Sequence, residues 1–327
     1  MRFPSILAGA VAGLLVPAAT AGAQGPPPPT AANGATVQTL AEGIPTPTEF
    51  AFAGGTLFAA AGGSEEPGGP PGGVFVIKGG SATRVPGSPA AVFGIAWRKG
   101  KLYITTGPKL QVWSGWNGTK FRKKKTLHTL NKKSAWWNGI AFGPDGRIYA
   151  GIGFGDKDEF KRAKSPAINH SWVSIKTNGR GLRIVARGLR QPWMTTFVKG
   201  TPFLSVLAQD NTEPPPPDWV VSPRKGQDFG YPRCTRAKPK PCKGYAKPFA
   251  TFPNHASPMG LGSIGKRLYV ALFGGLGSGP EVVSVPLKGG KATPFLTGYV
   301  APVLAIGVNK GWLYTGDLTG AVYRVKP

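Results

Sequence analysis

An all-β, six-bladed β-propeller is the fold this sequence predicts, and three observations carry it. The 327 residues include 49 Gly and 34 Pro, which interrupt the chain too often for long helices. Hydrophobic residues nevertheless make up 41% and aromatics 10%, with nine Trp, far more apolar material than a disordered chain carries. One unit also recurs: an apolar run, a short turn usually containing Gly, and a second apolar run with a large residue. If Phe58, Tyr103, Tyr149, Leu204, Tyr269 and Tyr314 are equivalent, the spacings are 45, 46, 55, 65 and 45. A unit of about 45 residues with about four strands is a propeller blade, and six close a ring with few free edges.

The elements follow in chain order. Residues 1–23 carry Arg2, an apolar run from Ile6 to Ala19 and the small triplet Ala21-Gly22-Ala23. This is the pattern of a cleavable secretory signal peptide, shorter than a membrane span requires. Residues 24–34, with Pro26 to Pro29, read as a stiff linker, and residues 35–327 as one propeller domain. Its hairpins begin at Glu49, Val92, Asn138, Pro192, Met259 and Val303, each in period-2 alternation about a turn such as Asp145-Gly146. Further strand-like pieces lie between them, for example from Val74, from Trp172 and from Val282. The last strand, near Ala321 to Val325, is expected to share a blade with an N-terminal strand near Thr36 to Leu40 and so lock the ring. A β-sandwich is the competing reading.

Forty Lys and Arg against 14 Asp and Glu give a formal charge of +26, which attracts polyanions and excludes a role built on binding cationic partners. The run Lys120 to Lys133 holds seven of these cations but only Phe121 as an interleaved aromatic. It reads as a solvated loop, or as weak attachment to anionic cell-envelope polymers, rather than as a nucleic-acid site. No second stretch is long and apolar enough to span a bilayer. The two cysteines, Cys234 and Cys242, close a Lys/Pro-rich loop and are most simply a local disulfide in an exported protein.

Insertions in a propeller fall on loops, usually on the ligand-binding face, so chemistry is sought at Phe154 to His170 and at Asp210 to Ala256. Inside and beside these insertions, Ala186-Arg-Gly-Leu-Arg-Gln-Pro-Trp, the acidic segment from Asp210 that ends in Gly230-Tyr-Pro, and Asn254-His-Ala-Ser-Pro-Met-Gly-Leu follow one another, after the Pro144-Asp-Gly hairpin. In that order they resemble the soluble aldose and sorbosone dehydrogenases that use pyrroloquinoline quinone (PQQ) and calcium. The resemblance covers most of the mature chain and implies oxidation of a sugar or related alcohol by an exported, secreted or periplasmic protein. It implies cofactor contacts from Arg190, whose guanidinium matches a carboxylate of the quinone, and from Gln191, where the family has Asn. It implies calcium at Asp210, Asn211, Glu213 and Asp218, since calcium takes six to eight oxygens. Asp156, Asp158 and Glu159 form a second acidic cluster, offset by Lys157, Lys161 and Arg162.

The family's proton-accepting His precedes a Trp; matching Trp136 puts Ala135 there, and Ala cannot act as a base. Of His128, His170 and His255, the last lies in a family-like segment and is the expected substitute base. His128 is expected in a loop. The alternative function is a catalytically impaired propeller that keeps the pocket for a carbohydrate or an anionic envelope ligand. A metal-dependent lactonase-type propeller is a third reading.

Overall fold

The computed structural model describes residues 25–64, 66–153, 167–209, 212–238 and 240–327; the predicted leader lies outside them. Two short strands come first, β1 (Thr30–Ala31) and β2 (Gln38–Ala41). Blade I holds β3 (Pro47–Ala53), β4 (Thr56–Ala61), β5 (Gly73–Lys78) and β6 (Ser81–Arg84). Blade II holds β7 (Gly94–Arg98), β8 (Lys101–Thr106), β9 (Lys109–Trp116) and β10 (Phe121–Thr129). Blade III holds β11 (Trp137–Phe142), β12 (Ile148–Ile152), β13 (Ser171–Ile175) and β14 (Arg183–Arg187). Blade IV holds β15 (Gln191–Val198), β16 (Thr201–Leu207), β17 (Asp218–Val221) and β18 (Ala250–Phe252). Blade V holds β19 (Pro258–Ile264), β20 (Arg267–Leu272), β21 (Glu281–Pro286) and β22 (Thr293–Thr297). Blade VI holds β23 (Val303–Asn309), β24 (Trp312–Asp317) and β25 (Val322–Val325).

Each blade is an antiparallel meander, and the six innermost strands touch in sequence around the ring, with β23 closing on β3. Blade VI takes its outermost strand from the other end of the chain, β2 pairing with β25 through Gln38↔Arg324 and Thr39↔Tyr323. The expected lock is therefore present, and it joins the two ends of the ring by main-chain bonds. Within the stretch read as a linker, Thr30–Ala31 pairs with Leu296–Thr297 as a fifth strand of blade V. No helix among the described residues is long and apolar enough to cross a membrane.

The interior consists of six apolar clusters, one between each pair of successive blades. This layering explains the repeat. Phe58, Tyr103, Tyr149, Tyr269 and Tyr314 sit on the second strand and fill the gap to the following blade. Their cross-strand partners are small: Ala51, Ala96, Ala141, Gly262 and Gly307. Blade IV corrects the alignment. Its hairpin closes at Val198↔Thr201, so Phe203, opposite Thr196, occupies the equivalent register. Phe203 packs in the cluster shared with blade V, whereas Leu204 turns back to blade III, because a one-residue step along a strand reverses the face.

Two further expectations change. His128 is not in a loop but on β10, the outer strand of blade II. The second insertion is split by β17: residues 208–209 and 212–217 lie at the end of the ring where the inner strands begin, here called the mouth. Residues 222–238 and 240–249 belong to a stretch that leaves from the opposite end and climbs back along the edge of blade III, with Arg187 N donating to Gln227 O at 2.9 Å and Phe229 N to Arg187 O at 2.9 Å. The disulfide Cys234–Cys242 closes this excursion, with Cα atoms 4.7 Å apart.

Candidate functional site

The inner strands are bulged at their mouth ends, at Pro47/Glu49, Trp137/Ile140, Pro192/Thr195, Pro258/Leu261 and Val303/Ala305. A bulge frees backbone groups from the ladder, and buried ones need other partners. Side chains on neighbouring blades supply them. Thr48 Oγ1 donates to Val92 O at 3.0 Å, Thr105 Oγ1 to Asn138 O at 3.0 Å, Asn138 Nδ2 to Pro192 O at 2.6 Å and Ser205 Oγ to Met259 O at 2.7 Å. Glu49 makes the longest reach. Its Oε2 accepts from Ile95 N at 2.6 Å and from Ile140 N at 3.2 Å, so one carboxylate ties blades I, II and III together. It is 7% exposed, and burial pushes its pKa well up, against the lowering effect of the two donors. Superposing the repeats places Gly94, Gly139, Met194, Gly260 and Ala305 at the same position. An acid standing alone in that series was the available sequence signal for this residue.

Arg190 and Gln191 sit where the chain enters β15, and both are buried, at 4% and 8% exposed. The turn before them needs glycine: Gly188 has φ +71°, and a Cβ there would meet Asp228 Oδ1 at 2.2 Å. The Gln191 amide lies against Gly153, whose Cβ, if present, would fall 1.6 Å from Oε1. The Arg190 guanidinium donates to Ala208 O, and its backbone carbonyl meets His170 Nδ1 at 3.0 Å. His170 is fully buried, its ring 4.9 Å from that of Tyr231. Tyr231 arrives on the climbing excursion, its N–H donating to Gly188 O at 3.1 Å. Neither Tyr231 nor Asn169 was singled out from sequence: Tyr231 depends on that excursion, and Asn169 on a contact with the Ala135 segment of the same blade.

Asp218 lies next to this group. Its Oδ1 accepts from Ala208 N at 2.6 Å and its Oδ2 from Ser257 N at 2.7 Å, which links Arg190's partner to the segment carrying His255. His255 itself is exposed and has φ +63°. Glu213 is exposed, whereas Asp210, Asn211 and the cluster Asp156, Asp158, Glu159 lie outside the described residues. Ala135 is buried, and its N–H donates to Asn169 Oδ1 at 2.9 Å, beside His170. The structure thus gathers Arg190, Gln191, Asp218, His170 and Ala135 at the mouth of blades III and IV, with His255 on its rim.

Three buried oxygens there have no hydrogen-bond partner among the described residues: Gln209 Oε1, Thr212 Oγ1 and Asn254 Oδ1. Asn254 Nδ2 donates to Gln209 O at 3.1 Å and to Pro216 O at 2.8 Å, which ties the segment carrying His255 to the one carrying Gln209. A set of hard oxygen donors suits calcium. Among the described residues no three His, Cys, Asp or Glu side chains gather as a metal cluster, so amide, hydroxyl and backbone oxygens would carry much of such a site.

Similar architecture occurs in the PQQ-bound aldose sugar dehydrogenase of Streptomyces coelicolor, with a TM-score of 0.71 and 20% identity over 91% of this chain and 99% of that one. The chain shares the fold of the sugar dehydrogenases. A putative glucose dehydrogenase from Thermus thermophilus superposes with a TM-score of 0.68 at 18% identity, over 89% of this chain and 100% of that one. A putative gluconolactonase superposes less well, with a TM-score of 0.57 at 13% identity, over 91% of this chain and 97% of that one. No protein-family model and no curated protein matches the sequence. Propellers host unrelated chemistries, so the residues at the mouth have to carry the functional argument.

Proposed function

We propose that this chain is an exported, sugar dehydrogenase-like oxidoreductase that acts on an aldose or related alcohol, with PQQ and calcium at the mouth of blades III and IV. What carries the reading is a buried guanidinium, Arg190, placed beside oxygen donors that the described residues leave unpaired. The donor set fits the cofactors chemically. Arg190 would hold a carboxylate of the quinone, and Gln191 would orient it through its amide. Gln209 Oε1, Thr212 Oγ1 and Asn254 Oδ1, with Asp210 and Asn211 adjoining in sequence, would hold calcium. When bound, the quinone supplies a two-electron acceptor for alcohol oxidation. Asp218, with both oxygens occupied by backbone N–H groups, positions the Ala208 and Ser257 segments that flank the site. His255, on the rim, is the side chain proposed to take the substrate proton.

Ala135 favours a second reading, in which the pocket binds a carbohydrate or anionic ligand without oxidising it. Calorimetric titration with PQQ, with and without calcium, tests the site. Saturable calcium-dependent binding that is lost in Arg190→Ala supports it, and the absence of binding refutes it. Sugar-dependent dye reduction by the loaded protein, lost in His255→Ala, supports the oxidoreductase. Binding without dye reduction assigns the second reading.

A further inference from the structure

Positive charge is unevenly distributed along this chain. Residues 67–144 contain 13 Lys or Arg and no Asp or Glu, and they span all of blade II with its flanks. No carboxylate in the sector can neutralise its neighbours. The charge density peaks on β10, where Arg122, Lys123, Lys124 and Lys125 follow one another and are all exposed. β10 ends its sheet, so its outer edge pairs with no strand among the described residues.

The four cations do not do the same thing. Lys124 spans the gap to blade I: its Nζ lies 4.2 Å over the Trp113 ring and donates to Pro86 O at 2.7 Å and Gly87 O at 2.9 Å. Burial and the nearby Arg84 lower its pKa. It therefore fastens the strand and also covers an aromatic face. Lys123 and Lys125 alternate with it along the strand, roughly 7 Å apart as an i, i+2 pair. The side chains of Arg122, Lys123 and Lys125 make no ion pair or hydrogen bond with a described residue. Lysines on an edge strand discourage pairing with another strand, but that purpose needs one or two charges and does not require an acid-free sector of 78 residues.

We propose that the outer edge of blade II is a docking surface for a linear anionic glycan. Three observations select that partner. Charge complementarity requires a polyanion, and a second copy of this chain would be repelled. On the two outer strands Phe121 and Trp113 are buried, Trp113 beneath Lys124, and the half-buried Trp116 packs against Phe58 and Phe121, so this edge offers no fully exposed ring for base stacking, which disfavours single-stranded nucleic acid. The exposed strand edge offers alternating N–H and C=O groups, and sugar hydroxyls can both donate and accept, whereas a polyphosphate chain has no donors. The surface is separate from the mouth of blades III and IV, so it could hold the protein on a polymer while the mouth remains open.

The experiment measures retention and affinity of the full chain for heparin and for polygalacturonate between 50 and 300 mM NaCl. Arg122→Gln, Lys123→Gln and Lys125→Gln are combined in one variant. A control removes three exposed lysines elsewhere, Lys243→Gln, Lys288→Gln and Lys291→Gln, to the same net charge, and thermal melts show that both are folded. The β10 variant should lose about tenfold in affinity at low salt, with a shallower dependence on log salt, because fewer counterions are released. The control should change by less than about twofold. Equal losses in the two variants would leave only net charge and overturn the docking surface, as would failure of the wild-type chain to bind either glycan. Tighter binding of a single-stranded oligodeoxynucleotide than of heparin would overturn the glycan assignment.

Discussion

Replacing Glu49 by Gln should stabilise the protein relative to wild type increasingly as pH rises from acid to neutral. The carboxylate is almost fully buried, and its surroundings act on it through burial and two N–H donors, with no charged neighbour contributing. Burial outweighs the donors, so the folded-state pKa lies above the ordinary value of 4.5. A raised folded-state pKa means that the fold holds this proton more tightly than the unfolded chain does. The stability gained is complete below the unfolded pKa and is lost as pH rises through the folded one, by about 1.4 kcal/mol for each unit between them. Gln keeps an oxygen that can accept from Ile95 N and Ile140 N but cannot ionise. The stability of the wild type relative to Glu49→Gln should therefore fall as pH rises above 4.5. Glu49→Ala instead leaves two buried N–H groups unpaired, at about 1–3 kcal/mol each, and should be destabilised by about 2–6 kcal/mol across the range. Urea unfolding followed by tryptophan fluorescence at four or five pH values measures all three proteins. A wild-type advantage over Glu49→Gln that grows with pH would refute the reasoning, because the donors would then outweigh burial and the axis would be built for a charge.

Asp218→Ala removes the acceptor for Ala208 N and Ser257 N and should cost about 2–6 kcal/mol, against a smaller loss for Asp218→Asn, which keeps one oxygen; urea midpoints distinguish them. Phe203→Ala opens a cavity between blades IV and V and should cost about 3–5 kcal/mol; a negligible change in melting temperature would contradict the register given for blade IV. The paired change Cys234→Ser and Cys242→Ser frees a loop of separation 8 and should cost about 2–3 kcal/mol by loop entropy. Its effect should be confined to the excursion along blade III, seen as faster hydrogen exchange at residues 226–231 than in blades V and VI.

The repeat made the architecture legible, because a large residue at a fixed offset from each Gly-containing turn is what a gap between two twisted blades demands. Composition and periodicity together determined strands, blade number and the pairing of the two chain ends. Blade IV shows where that legibility stopped: Phe203 and Leu204 are both apolar and both buried, and only the register of the hairpin decides which neighbouring blade each one faces. Motif order placed Arg190, Gln191 and Asp218 at one end of the ring. It could not show that Asp218 spends both oxygens on backbone N–H groups, or that Gln209, Thr212 and Asn254 each keep a buried oxygen with no partner among the described residues. Glu49 stands in plain view in the first repeat, but its partners are 46 and 91 residues away. The basic run of β10 was countable, yet its strand conformation and the separate duty of Lys124 come from contacts with blade I. Local pattern along a chain reports which residues are buried and with what period. What a buried polar group bonds to is decided by which distant segments the closed ring brings within about 3 Å of it, and that information exists only in the tertiary structure.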